Sequence, residues 1–205
     1  MSDDIASLSP AQKDVLKEIG NVGAGNSATA LSQIINRRID MDVPRVSIVP
    51  LSEVPELVGG PDNMVVGVFL RVYGKAPSNI LFLMPKESAF YLVDMLMGKR
   101  TGDTKNLDFM DESALMEIGN ILSGAYLNAL YSFTNISLLP SIPALAMDMA
   151  GAILSVVLVQ LGQMGDHALV IETEFKTDDD GIRGHFFLVP DSGSLEIILS
   201  AVGVE

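Results

Sequence analysis

The feature that most constrains this chain is that it repeats itself at an offset of 99 residues. Asp14-x-x-x-Glu18-Ile19-Gly20-Asn21 returns as Ser113-x-x-x-Glu117-Ile118-Gly119-Asn120. The register holds beyond this motif. Gly25 matches Gly124, Ala30 matches Ala129, Leu31 matches Leu130, and Pro44 matches Pro143. The two stretches also close alike: Leu81–Pro85 leads into a helical segment ending at Gly98, and Phe186–Pro190 leads into one ending at Gly203. Chance does not place so many matches in one register, so the chain is a tandem duplication. Residues 1–205 are expected to form a single domain of two pseudo-symmetric halves, about 8–98 and 107–205, with a hinge in the polar stretch Lys99–Asn106.

Each half reads helix, strands, helix. Ser9 is an N-cap candidate with Pro10 at the first helical position, and the helix is expected to run to about Asn36. Strand candidates follow at Arg38–Val43, Val46–Leu51, Met64–Val72 and Asn79–Met84, the last two rich in β-branched and large apolar residues. A helix over Lys86–Met97 closes the half. The second half opens with Asp108 as cap and a helix through about Phe133. Its strand candidates are Asn135–Leu139, Ala168–Lys176 and Ile182–Val189, with Asp178-Asp179-Asp180-Gly181 as the turn between the last two. Met149–Leu161 is a short apolar run that periodicity alone does not type. The fold class is α+β, with long helices packed on a mainly antiparallel sheet.

Composition narrows the function. Acids number 26 against 13 bases, a formal charge of −13. Such a field repels nucleic-acid backbone and anionic lipid. There is no cysteine, so disulfides, thiol catalysis and cysteine–zinc sites are excluded. Met1–Pro10 carries acids where a signal peptide carries bases, which points to the cytoplasm. Met149–Leu161 is too short to span a bilayer. The two histidines, His167 and His185, have no ligand-like neighbours at helical spacing, so no metal site is expected.

The repeated motif makes a stripe. At about 100° per residue, with Asp14 at zero, Glu18 falls near 40° and Asn21 near −20°. Val15, Leu16, Ile19 and Val22 fall between about 80° and 200°, a separate face expected to pack inward. Ser113, Glu117 and Asn120 repeat the stripe, with Ala114, Leu115, Ile118 and Ile121 on the core face. Gly25 and Gly124 project from the stripe's own azimuth. Glycine inside a helix costs about 1 kcal/mol relative to alanine, and a bald patch beside a Glu/Asn pair lets another protein approach closely. A core face recurs because packing requires it; a polar stripe has no packing reason to recur. Gly20-Asn21-Val22-Gly23-Ala24-Gly25 could suggest a nucleotide loop, but these glycines lie inside a helical pattern rather than between a strand and a helix.

Asp14, Glu18, Asn21, Pro44 and Ser113, Glu117, Asn120, Pro143 are two complete copies of one pattern. It resembles that of the CheC/CheX/FliY family of chemotaxis phosphatases, and the resemblance spans the whole chain. It implies hydrolysis of the aspartyl phosphate of the response regulator CheY. Asn21 and Asn120 would orient the attacking water, and Glu18 and Glu117 would pair with the regulator's active-site lysine. The regulator would supply the phosphoaspartate and Mg²⁺, leaving this chain without a cofactor of its own. The family also docks CheD, a receptor-modifying deamidase, through the segment after the second proline. Here that segment is Ala144–Ala150, with Asp148 as the acid carried over; a buried strand or helix with one capping acid is the plainer reading of it. FliY adds a C-terminal flagellar-switch domain, and no such domain is expected here. An adaptor that binds CheD or phosphorylated CheY without catalysis is the alternative. Since the duplication supplies both helices, a monomer is expected.

Overall fold

The computed structural model describes residues 9–35, 38–43, 46–161, 167–176, 181–191 and 193–203. In chain order the elements are α1 (Pro10–Ile35), β1 (Asp40–Asp42), β2 (Val46–Pro50), α2 (Val54–Leu57), β3 (Met64–Gly74), β4 (Ser78–Pro85), α3 (Lys86–Leu96), α4 (Phe109–Thr134), β5 (Leu138–Pro140), β6 (Ala144–Met149), α5 (Ala150–Leu161), β7 (His167–Lys176), β8 (Gly181–Pro190) and α6 (Ser194–Ala201). The class is α+β, as the sequence implied. Met149–Leu161 resolves into the end of β6 and helix α5, while Asp178–Asp180 lies outside the described residues.

The two long helices start the same way. Ser9 Oγ accepts the Gln12 N–H at 3.2 Å, and Gln12 Oε1 accepts the Ser9 N–H at 2.9 Å. At the matching positions Asp108 Oδ1 accepts from Asp111 N at 2.9 Å, and Asp111 Oδ2 accepts from Asp108 N at 3.3 Å. Both are reciprocal capping boxes, which satisfy backbone N–H groups that the first helical turn leaves unpaired. The second long helix ends at Asn135, which takes the left-handed conformation at φ 55° that asparagine tolerates better than most residues.

Among the described strands every pairing is antiparallel. Its order is β1-β7-β8-β4-β3-β5, with β2 also on β7 and β6 also on β3. The strands that follow α1 therefore pair with the second half, and those that follow α4 pair with the first, so the halves are interleaved. The central β4–β8 register pairs Leu81 with Phe187 and Phe82 with Phe186. Phe82 and Phe186 face the same core, and so do their next partners, Val68 on β3 and Ile171 on β7, so a pseudo-twofold axis crosses the sheet at the Phe82–Phe186 pair. The outer strands obey it too: Val46 pairs with Ile171, and Leu145 with Val68.

Strand alternation divides the sheet into two faces. Val66, Val68, Leu70, Val72, Ile80, Phe82, Met84, Ile171, Phe186 and Leu188 form one core with α1, α3, α4 and α6. Val65, Leu81, Leu83, Val170, Phe187 and Val189 form a second core beneath α2 and α5. Full burial of a side chain of this size contributes about 1.5–3 kcal/mol.

The junction between the halves, the polar stretch read as a hinge, is tied to both flanking helices by hydrogen bonds. Asp94, buried on α3, accepts from Gly102 N at 2.7 Å and from Thr104 N at 2.9 Å. Lys99 Nζ donates to Asp111 Oδ1 at 2.7 Å and to Thr104 Oγ1 at 3.3 Å. These bonds fasten the linker to the start of the second long helix.

Candidate active site

The Glu/Asn stripes lie on the outer flanks of α1 and α4. Asp14, Glu18, Asn21 and Gly25 are exposed on the first, and Glu117 and Asn120 on the second. Ser113 and Gly124 are half-buried, and Ser113 Oγ donates to Phe109 O at 2.7 Å. A β-carbon added at Gly25 or at Gly124 would meet nothing within 4 Å. The bare helix surface beside each pair is therefore open space.

The opposite flank differs from the apolar face read from the sequence. Leu16 and Ile19 are buried as expected, but Val15 and Val22 are only half-buried. The buried face instead extends through Gly20, Gly23, Ala24 and Ser27. The second helix shows the same shift: Leu115 and Ile118 are buried with Gly119 and Ser123, while Ala114 and Ile121 are half-buried. The cause is close packing on two sides. A β-carbon on Gly23 would sit 2.6 Å from the Tyr126 ring, which stacks on Phe186 at 4.3 Å between centroids. A β-carbon on Gly20 would lie 3.2 Å from Val43 Cγ1 and 3.4 Å from Ile171 Cγ2, and one on Gly119 would lie 2.5 Å from Val68 Cγ1. Small residues bring each helix down onto a strand contributed by the other half.

These glycines are the positioning residues that reading the stripe alone misses. Their signal was present, since Gly20 and Gly119 stand inside the repeated Glu-Ile-Gly-Asn. They set the height and rotation at which Glu18/Asn21 and Glu117/Asn120 are displayed. The Gly20–Gly25 run is mid-helix, as a phosphate loop is not.

The remaining sequence candidates lie at the sheet edge. Pro143 is half-buried in a bulge between β5 and β6: Pro140 pairs with Val72 and Ala144 with Phe69, so three residues oppose two. A proline fits there because the bulge demands no ladder N–H. Pro44 lies outside the described residues. Asp148 is exposed on β6, opposite Val65, and its Oδ1 accepts the Met149 N–H at 2.7 Å. It is thus not buried. Met147 and Met149 on the same strand are also exposed.

What these features define is a duplicated α+β domain that displays one Glu-x-x-Asn stripe twice, on paired long helices, around a pseudo-twofold axis. The CheC-like family matches residues 12–48 and 110–146, the two segments that carry the stripes. The chain is 40% identical over 196 residues to the CheY-P phosphatase CheC of Bacillus subtilis (strain 168), covering 94% of each. It belongs to the CheC-like family. Its fold is similar to that of Thermotoga maritima FliY, with a TM-score of 0.77 at 21% identity over 96% of this chain and 98% of that one. It is also similar to a chain of the CheX–CheY–BeF3–Mg²⁺ complex from Borrelia burgdorferi, with a TM-score of 0.52 at 16% identity over 82% and 96% of the two chains.

Among the described residues no helix is long and apolar enough to cross a membrane.

Proposed function

We propose that this chain hydrolyses the aspartyl phosphate of the chemotaxis response regulator CheY, through two sites, Glu18/Asn21 and Glu117/Asn120. The observation that carries the reading is the pairing of each exposed Glu/Asn stripe with a glycine whose outer side is empty. Phosphoryl transfer depends mostly on positioning and charge stabilisation. An amide both donates and accepts, so Asn21 or Asn120 can hold a water in line with the acyl phosphate. Glu18 or Glu117 can pair with a lysine of the regulator. Phosphoaspartate and Mg²⁺ belong to the regulator, which is the substrate. The CheY-P phosphatase activity named for the Bacillus subtilis relative supports this assignment.

Phosphate release from phosphorylated CheY with Mg²⁺, at substoichiometric protein, tests it. Wild type is expected to turn over many regulators. Asn21→Ala with Asn120→Ala should lose on the order of 10²-fold or more, about 2.7 kcal/mol of barrier. An unchanged rate in the double variant sinks the assignment.

A docking role alongside catalysis is favoured by β6. It pairs only with β3 among the described strands, and its exposed side chains include Asp148. An unpaired strand edge is a ready template for a partner. We assign CheD to this edge and expect the chain to act as a cytoplasmic monomer. A pull-down in which Asp148→Lys binds CheD as well as wild type removes that assignment.

A further inference from the structure

We propose that the two sites hold the regulator by different chemistry: Glu18/Asn21 by charge, and Glu117/Asn120 by an apolar rim anchored on Phe109. The inference rests on the phosphatase reading of the stripes. It comes from comparing their surroundings in the 99-residue register, where the catalytic pairs match and their neighbours do not.

On the first helix Lys13 and Lys17 are exposed along one edge of the stripe, at about −100° and −60°. Around Gly25 an open, shallow surface is lined by Thr29, Ser32, Arg38 and Asp40 among others. Arg38 and Asp40 form an exposed ion pair at 3.2 Å. In the second half the two lysines are replaced by Glu112 and Met116, and Pro10, Ser32 and Asp40 by Phe109, Tyr131 and Leu139. These three are 78%, 50% and 65% exposed.

Phe109 and Tyr131 lie on the stripe itself, near −40° and 0° when Ser113 is set at zero. Each is about 16 Å along the axis from Asn120. A regulator seated over Asn120 therefore covers at least one of them, since a protein partner's footprint is roughly 800 Å². Phe109 is not needed for the helix start, which Asp108 and Asp111 cap. A phosphorylated aspartate brings strong negative charge. At the first site the exposed Lys13 and Lys17 offset Asp14 and Glu18; at the second Glu112 and Glu117 stand on a helix that carries no lysine or arginine, so attraction there comes from apolar burial.

The test uses single-site chains. Asn120→Ala leaves the first site and Asn21→Ala leaves the second. With phosphorylated CheY, kcat/KM of the Asn120→Ala chain should fall roughly tenfold or more between low salt and roughly 0.5 M, and that of the Asn21→Ala chain less than about twofold. Lys13→Gln with Lys17→Gln should flatten the first slope. Phe109→Ala should raise KM of the Asn21→Ala chain by roughly tenfold with kcat kept, and Phe109→Leu should restore most of it. Equal salt slopes, or a Phe109→Ala effect of the same size in both backgrounds, overturns the proposal. If the Asn21→Ala/Asn120→Ala chain keeps the wild-type rate, it is the catalytic reading that falls. Titration with CheY loaded with beryllofluoride and Mg²⁺ then decides the docking chemistry. Salt-resistant binding that disappears with Phe109→Ala supports the proposal, and binding indifferent to Phe109 overturns it.

Discussion

Gly119 rests against Val68, so closely that a β-carbon would lie 2.5 Å from Val68 Cγ1 and 3.1 Å from its Cβ. Alanine in an exposed helix interior gains about 1 kcal/mol over glycine. Here it has to push the long helix off the strand, and overpacking of this kind costs about 1–3 kcal/mol. Gly119→Ala is therefore expected to lower the denaturation midpoint and to slow the Glu117/Asn120 site. Gly20→Ala, with nearest approaches of 3.2 and 3.4 Å, should be milder. Denaturant unfolding of both variants checks the order; a Gly119→Ala chain as stable as wild type contradicts the packing argument.

Gly25 and Gly124 should behave in the opposite way. An added methyl at either meets nothing, so each alanine variant is expected to gain stability, by up to about 1 kcal/mol. The same methyl stands where the regulator has to approach, and dephosphorylation at that site should slow. Thermal melts and single-site rates measured on the same samples would reveal this trade. Variants that are both more stable and equally fast would show that close approach at the glycines is not used.

Much of this arrangement was legible in the sequence, and the exceptions share a cause. The long helices, the central strands and the Glu/Asn stripes follow from local periodicity and caps. The interleaving does not, because pairing Val46 with Ile171 is a contact that no local pattern encodes. The buried run Gly20, Gly23, Ala24, Ser27 was hidden because small residues carry little hydropathy. The linker Lys99–Asn106 looked like a hinge because its ties to Asp94 and Asp111 are polar. Ala144–Met149 is an edge strand with exposed side chains on both faces, so it lacks the alternation by which a half-buried strand is recognised.

Acid should loosen the junction through Asp94. Burial pushes its carboxyl up. The Thr104 hydroxyl and the backbone N–H groups of Thr104, Gly102 and Asp103 outweigh that and hold it below the ordinary aspartate value of 3.8. A carboxyl lowered on folding stabilises the protein above its unfolded value, and the contribution fades as pH falls through the folded value. The contribution is thus complete at neutral pH and declines below about pH 4. Asp94→Ala should cost about 1–3 kcal/mol at pH 7 and show a shallower acid dependence than wild type. Parallel stability–pH curves for the two chains would exclude the role.

Arg71 and Asp191 join the halves at the far end of the sheet. The guanidinium forks onto the carboxylate, Nη1 to Oδ1 at 2.7 Å and Nη2 to Oδ2, and both side chains are largely shielded from water. The backbone of Arg71 also holds Ser141, which donates its N–H to Arg71 O at 2.7 Å and accepts the Arg71 N–H on Oγ at 3.0 Å. The ion pair therefore braces the bulge that carries Pro143 and leads into β6. Bidentate pairs of this kind contribute about 1.5–3 kcal/mol. A double-mutant cycle on Arg71→Ala and Asp191→Ala should return a coupling in that range. Arg71→Lys should recover little of it, because an ammonium cannot span both oxygens. Hydrogen exchange along residues 138–149 should quicken in either single variant while the long helices stay protected. Uniform quickening across the chain would instead mean that the pair supports global stability and not this edge.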